Sequence, residues 1–160
     1  MVKNEQSRGS HIIIVSILIA MILMIIPLPD SMRIFRPEWV LLTIMYWAMA
    51  LPRNVGVGYA WFVGLLMDVL FGGILGVLAF SYALVVYLIL RFHLQLRQFP
   101  LWQQALTLMS LILLVHAVTA SMTTVTSGWL AWFPAAVTST LLWPLVHVFL
   151  RTVRRTFNVR

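Results

Sequence analysis

The sequence predicts an all-α integral membrane protein, a compact bundle of six transmembrane helices forming one domain over residues 1–160. Three observations carry that prediction. Hydrophobic residues make up 62% of the 160 and charged residues 9%, against about 25% charged in soluble domains, so there is too little polar surface to cover a globule in water. Residues 12–28 and 101–150 contain no Asp, Glu, Lys or Arg, whereas one spanning helix needs only about 20 apolar residues. The apolar runs are continuous rather than alternating, which excludes a membrane β-barrel, and backbone inside hydrocarbon must then satisfy itself as helix.

Punctuation divides the chain into six spans. Span 1 covers 12–28 and is closed by the segment PLPD. Lys3 and Arg8 precede it as they would a signal peptide, but PLPDSM offers no small-x-small cleavage site, so it is expected to remain as an uncleaved helix. Span 2, at 38–51, lies between Pro37 and Pro52. It is short for a core of about 30 Å and is expected to lie shallow or borrow its flanks. Span 3 covers 55–71 and ends at Gly72-Gly73; span 4 covers 74–90. Span 5, at 101–122, follows Pro100, and span 6 covers 129–150. No hydrophilic stretch is long enough for a separate soluble domain. Cysteine is absent, which excludes disulfides and Cys-ligated metals.

The net charge of +7 would suggest nucleic acid in a soluble protein. Here its placement matters more, and no nucleic-acid partner is expected. If six helices alternate, Lys3, Arg8, Arg53, Arg91, Arg97, Arg151, Arg154, Arg155 and Arg160 share one face. The other face has Arg33 and Arg36, diluted by Asp30 and Glu38. Loops with a positive excess stay cytoplasmic, so both termini are expected in the cytoplasm. Trp39, Trp102, Trp129 and Trp132 fall at span ends, as interfacial belts require. Trp47, Trp61 and Trp143 lie further in and are read as packing or lipid contacts.

The stretch GLLMDVLFGGILG at 64–76 sets a carboxylate among glycines. Steps of four give Gly56, Ala60, Gly64, Asp68, Gly72 and Gly76. Within span 3 these positions stack on one helix face, a small-residue stripe that lets backbones approach closely. Gly72-Gly73 are expected to break the helix, leaving Gly76 at the start of span 4. The stripe turns Asp68 toward protein. An ionised Asp at the centre of a membrane helix costs roughly 2.5–3.5 kcal/mol, and Asp68, near the end of its span, needs a partner or a proton. Arg33, Arg36, His116, backbone donors and protonation of Asp68 itself are the candidates. A solute or proton path would account for such an acid. A structural lock between span 3 and its neighbours accounts for it better, because spans 1, 2 and 4 offer no further buried ionisable group.

His116 and His147 lie in opposite halves of the bundle and are read as packing histidines. No HExxH, GxSxG or Walker-type phosphate loop occurs. No catalytic residue, metal site or cofactor is expected. Pro144 should kink span 6 and free a carbonyl near residue 140, whose demand Thr138, Ser139 and Thr140 could absorb. Arg151, Arg154 and Arg155 form a juxtamembrane basic cluster. Such a cluster attracts anionic lipid by about 1 kcal/mol per residue and could also dock a cytoplasmic partner.

Four stretches share one resemblance. They are RPEWVLLTIMYWAMALPRNVGVG at 36–58, GLLMDVLFGGILG at 64–76, LWQQAL at 101–106 and LLWPLVHVFLRTVRRTF at 141–157. Together, in order and over nearly the whole chain, they resemble the MreD family of rod shape-determining membrane proteins, its gammaproteobacterial form in particular. The resemblance implies a non-enzymatic scaffold of the cell-elongation machinery in the bacterial inner membrane. The implied partners are MreC and, directly or through it, a RodA-type glycosyltransferase, a class B penicillin-binding transpeptidase and MreB filaments, all serving peptidoglycan synthesis. The implied fold is similar to the S-components of vitamin transporters. Two other functions fit the composition. A small-solute capture subunit should present an Ala-xxx-Ala face on span 1, where the sequence has Ser16 and Ala20. An intramembrane enzyme acting on lipid-linked precursors would have only Asp68 and His116 to work with.

Overall fold

The computed structural model describes residues 2–123 and 132–157, with side chains from residue 10 onward. Trp129, Arg160, the first residues of span 6 and the side chains of Lys3 and Arg8 fall outside that description. Six α-helices occur among the described residues: α1 (Val2–Ile25), α2 (Trp39–Ala50), α3 (Val57–Phe71), α4 (Val77–Gln98), α5 (Leu101–Met122) and α6 (Phe133–Thr156). A short 3-10 helix, Asp30–Phe35, connects α1 to α2, and no described residue is in a strand. The chain is therefore all-α, as its continuous apolar runs require. Proline and glycine set the boundaries: Pro27 and Pro29 follow α1, Pro52 follows α2, Gly72 closes α3, and Pro100 separates α4 from α5. A proline just outside a helix end costs no internal hydrogen bond.

The helices differ in length more than six uniform spans would. α4, α5 and α6 are long and apolar enough to cross a membrane. The apolar part of α1 runs Ser10–Ile25, and α3 has 15 residues. α2 has only 12, about 18 Å at the usual rise per residue, well short of a hydrocarbon core of about 30 Å. It is also the centre of the bundle: α1, α4 and α6 pack on it. All ten residues Val40 to Met49 are buried. The sequence left open a shallow position or borrowed flanks. The structure surrounds α2 with protein, where backbone that does not reach the bilayer surface is tolerated.

The buried tryptophans hold this centre. Trp47 is fully buried, and its indole N–H donates to Ser16 Oγ at 2.8 Å, while the Ser16 hydroxyl donates to the Ile13 carbonyl at 2.8 Å. One hydroxyl thus ties α1 to α2. Trp143 is also fully buried, whereas Trp61 and Trp102 are exposed. Pro144 lies inside α6, which continues through it. The hydroxyls expected to compensate that proline act elsewhere. Thr138 donates to the carbonyls of Pro134 and Ala135, Ser139 to Ala135, and Thr140 to Ala136. A Ser or Thr in a helix reaches back one turn, so none of the three reaches the carbonyl that Pro144 releases.

Candidate functional site

The glycine-rich stretch folds as a helical hairpin, and α3 and α4 make the most extensive helix pair in the molecule. The chain turns in residues 72–76. Gly72 adopts φ 63° and Gly76 φ 97°, the left-handed region that glycine enters without steric cost. The N–H of Gly73 donates to the Asp68 carbonyl at 3.2 Å and that of Gly72 to Val69 at 3.3 Å. This pattern closes α3 as a Schellman motif.

Asp68 then caps the helix that follows. Its carboxylate accepts from the N–H groups of Gly76 at 2.9 Å, Leu78 at 3.0 Å and Ala79 at 3.2 Å. The Val77 N–H donates instead to Ile74 O at 3.3 Å. The first N–H groups of a helix lack internal partners, and here a residue of the preceding helix supplies them. Both oxygens act as acceptors, at the end of the helix where its dipole is positive. Asp68 is 2% exposed. Of the candidate partners, backbone donors hold it. Arg33 instead pairs with Asp30 at 3.4 Å, both exposed, Arg36 donates to the Ile26 carbonyl, and His116 faces Glu38. The capped helix start lies two to three residues beyond a tight turn, nearer than any of those side chains.

Gly64 brings the two helices together. A Cβ built there would lie 2.6 Å from both Ala79 Cα and Leu78 O, closer than atoms can pack. Ala60, Gly64 and Asp68 are all buried and form the working part of the expected stripe. Gly56, Gly72 and Gly76 do not extend it, because a Cβ at any of them meets nothing within 4 Å. The last two serve the turn through their backbone angles, which a step-of-four count along the sequence cannot distinguish from packing. Gly76→Ala is therefore expected to lower stability by about 1–2 kcal/mol, the left-handed penalty. Gly73→Ala, with an unrestricted φ and open space, should change thermal melting in detergent little. Equal losses in both would remove the backbone explanation.

Two further polar groupings occupy opposite ends of the bundle. At the end holding the α3–α4 turn, Glu38 is 17% exposed at its side chain. Its Oε1 lies 3.6 Å from Nε2 of His116, and the His116 ring lies parallel to Trp132 with centroids 6.3 Å apart. The Glu38 backbone N–H donates to Ser139 Oγ at 2.9 Å, which joins α2 to α6. The sequence places Glu38 at the first residue of span 2 and counts it as outer-face charge diluting Arg33 and Arg36. Its position directly before the uncharged run 39–51 was the signal for a largely covered carboxylate. At the other end, Arg154 stands beside Tyr46, and the His147 ring meets Tyr46 and Trp143 edge-on. Arg151 stands exposed beside them and Arg155 is exposed. Among the described residues, no three His, Cys, Asp or Glu side chains gather as a metal site would need.

The sequence profile of the family described as rod shape-determining protein MreD matches residues 6–153. A curated relative, the rod shape-determining protein MreD of Haemophilus influenzae, is 34% identical over 141 residues, 86% of each chain. No solved structure matches.

Proposed function

The chain belongs to the MreD family of rod shape-determining membrane proteins, and from that premise we propose that it is a multi-pass scaffold of the bacterial inner membrane that acts by contact rather than catalysis. Both termini are cytoplasmic in this reading, which places the arginine-rich end of the bundle at the inner surface. Its partner in the bilayer is the single span of MreC. Through MreC, the RodA-type glycosyltransferase, the class B transpeptidase and MreB filaments join the same assembly and build peptidoglycan along the cell length.

One observation carries the reading: three polar side chains, Asp68, Ser16 and Ser139, hold pairs of helices together. Asp68 gives its oxygens to the start of α4, Ser16 joins α1 to α2, and Ser139 joins α2 to α6. Because the close-packing face around Gly64 is already filled by α4, a partner helix needs another surface. α1 packs on α2 and leaves an apolar groove of about 580 Å³ between itself and α6. Val15, Ile19 and Leu23 form one wall, Leu145 and Phe149 the other, with Trp39 and Thr43 lining it as well. Helix association in lipid depends on such van der Waals fit. The capture-subunit alternative loses its expected face, since Ala20 is 3% exposed and Ser16 is engaged by Trp47.

Photocrosslinkers at Ile19, Leu145 and Phe149 in growing cells are expected to capture MreC, whereas probes at Trp61 and Val69, exposed on α3, should not. Capture from α3 alone would move the interface to the hairpin. A purified protein that turns over or transports a solute would end the scaffold reading.

A further inference from the structure

At the arginine-rich end, three helix termini and the start of a fourth enclose a recess of about 370 Å³, within the range of roughly 300–1,000 Å³ typical of small-ligand sites. We propose that it binds one phosphate-bearing group that also carries a free hydroxyl, of the glycerophosphate class.

The charge argument comes first. Arg97 from the last turn of α4 and Arg151 and Arg154 from the last turns of α6 line the recess, with no acidic residue among its described lining. Arginine stays protonated in proteins, and its planar fork matches phosphate oxygens in pairs. Asp30, Glu38 and Asp68, three of the four acids in the chain, belong to other parts of the fold. Among the described residues, Arg97 and Arg151 therefore bring their charge to the recess with no carboxylate in its walls, and Arg154 adds a third guanidinium beside Tyr46.

The second argument is independent of charge. Gln104, from the first turn of α5, is 7% exposed and lines the same recess. Its amide nitrogen donates to the carbonyls of Leu96 at 2.9 Å and Phe99 at 3.1 Å. Two carbonyl partners fix the amide orientation, so the oxygen is the atom left over, and it is buried with no hydrogen-bond partner. A buried acceptor left unpaired is costly. Phosphate oxygens cannot satisfy it, because they too accept. A donor on the ligand can, and beside three arginines a neutral hydroxyl is favoured over an ammonium. The recess thus asks for an anion and a hydroxyl on one molecule, as in a phosphatidylglycerol headgroup or free glycerol phosphate.

Arginines at helix C-termini also favour those helix dipoles with no ligand bound, so the test compares arginines of equal charge inside and outside the recess. Protein purified in neutral detergent is titrated, by native mass spectrometry and by thermal shift, with dioleoylphosphatidylglycerol, dioleoylphosphatidylcholine, dioleoylphosphatidylmethanol and glycerol 3-phosphate. Wild type is expected to prefer phosphatidylglycerol over phosphatidylcholine by tenfold or more. It should prefer it over phosphatidylmethanol, which has the charge but no hydroxyl, by several-fold. Arg97→Gln with Arg151→Gln should abolish the preference, while Arg53→Gln with Arg91→Gln, outside the recess, should change it less than twofold. Competition by glycerol 3-phosphate identifies a soluble ligand, and its failure beside tight lipid binding identifies a lipid. Equal losses in the two double variants, or equal binding of phosphatidylglycerol and phosphatidylmethanol, would overturn the site. If the first double variant does not elute as a single species, each single substitution at these exposed side chains gives the same comparison.

Discussion

Gly64→Leu is expected to leave the chain largely unfolded in the membrane. The α3 and α4 backbones meet at Gly64, where even a Cβ would lie 2.6 Å from the Ala79 Cα and the Leu78 carbonyl oxygen. Both are backbone atoms, so no side chain can swing aside. Overpacking a core typically costs about 1–3 kcal/mol when side chains can adjust. Here the helices must part, which should exceed that range and also pull Leu78 and Ala79 away from Asp68. Gly64→Ala should already show a clear loss, because the obstructing atom is the Cβ itself. The measurement is the yield of monodisperse protein in detergent and its melting temperature, together with rod shape in cells relying on the variant. Normal yield and normal rods with Gly64→Leu would mean that the helices do not approach as closely as described.

Asp68→Ala should have the next largest effect. It leaves the N–H groups of Gly76, Leu78 and Ala79 without their acceptor. Losing a helix cap costs about 0.5–2 kcal/mol, and hydrogen bonds to charged groups contribute about 1.5–3 kcal/mol. A loss of about 2–4 kcal/mol follows, since the three bonds share one carboxylate and do not add fully. Asp68→Asn keeps a single acceptor oxygen and should recover part of it. Asp68→Glu, one methylene longer in a tight turn, should recover less than its charge suggests. An Asp68→Ala protein as stable as wild type would show that water or lipid headgroups satisfy those donors. Stability kept, together with activity that depends on Asp68, would instead restore the solute-path reading.

Much of this fold could be read from the chain because membrane solvent simplifies the rules. Long uncharged runs had to be helices, and Pro37, Pro52, Gly72 and Pro100 bracketed them. Span 4, however, expected to stop at residue 90, continues as α4 through Arg91 and Arg97 to Gln98. The small-residue periodicity located Gly64 correctly as a close approach. The same periodicity overreached at Gly56, Gly72 and Gly76, because glycine serves backbone angle and close packing alike and spacing does not separate the two. Asp68 was recognisable as an inward-facing acid, but its partners lie in the turn that follows, and main-chain donors leave no mark in the sequence. Glu38 was misjudged for a related reason. A charge at the first residue of a span looks like surface until the helix behind it proves to be enclosed on every side. The recess containing Gln104 was not foreseen, since two adjacent glutamines at the start of an apolar helix carry no pattern that separates the inward one from its neighbour. Only the approach of α2, α4 and α6 gives it neighbours.

The enclosure of α2 also bears on biogenesis. A helix of 12 residues is a poor match for bare lipid, where its ends would thin the bilayer around it. Its neighbours are α1, made before it, and α4 and α6, made after it. The middle of the molecule therefore reaches its final surroundings only when α6 has left the ribosome. A nascent chain halted before α6 should hold its second helix in a provisional position, accessible to probes that the finished protein excludes.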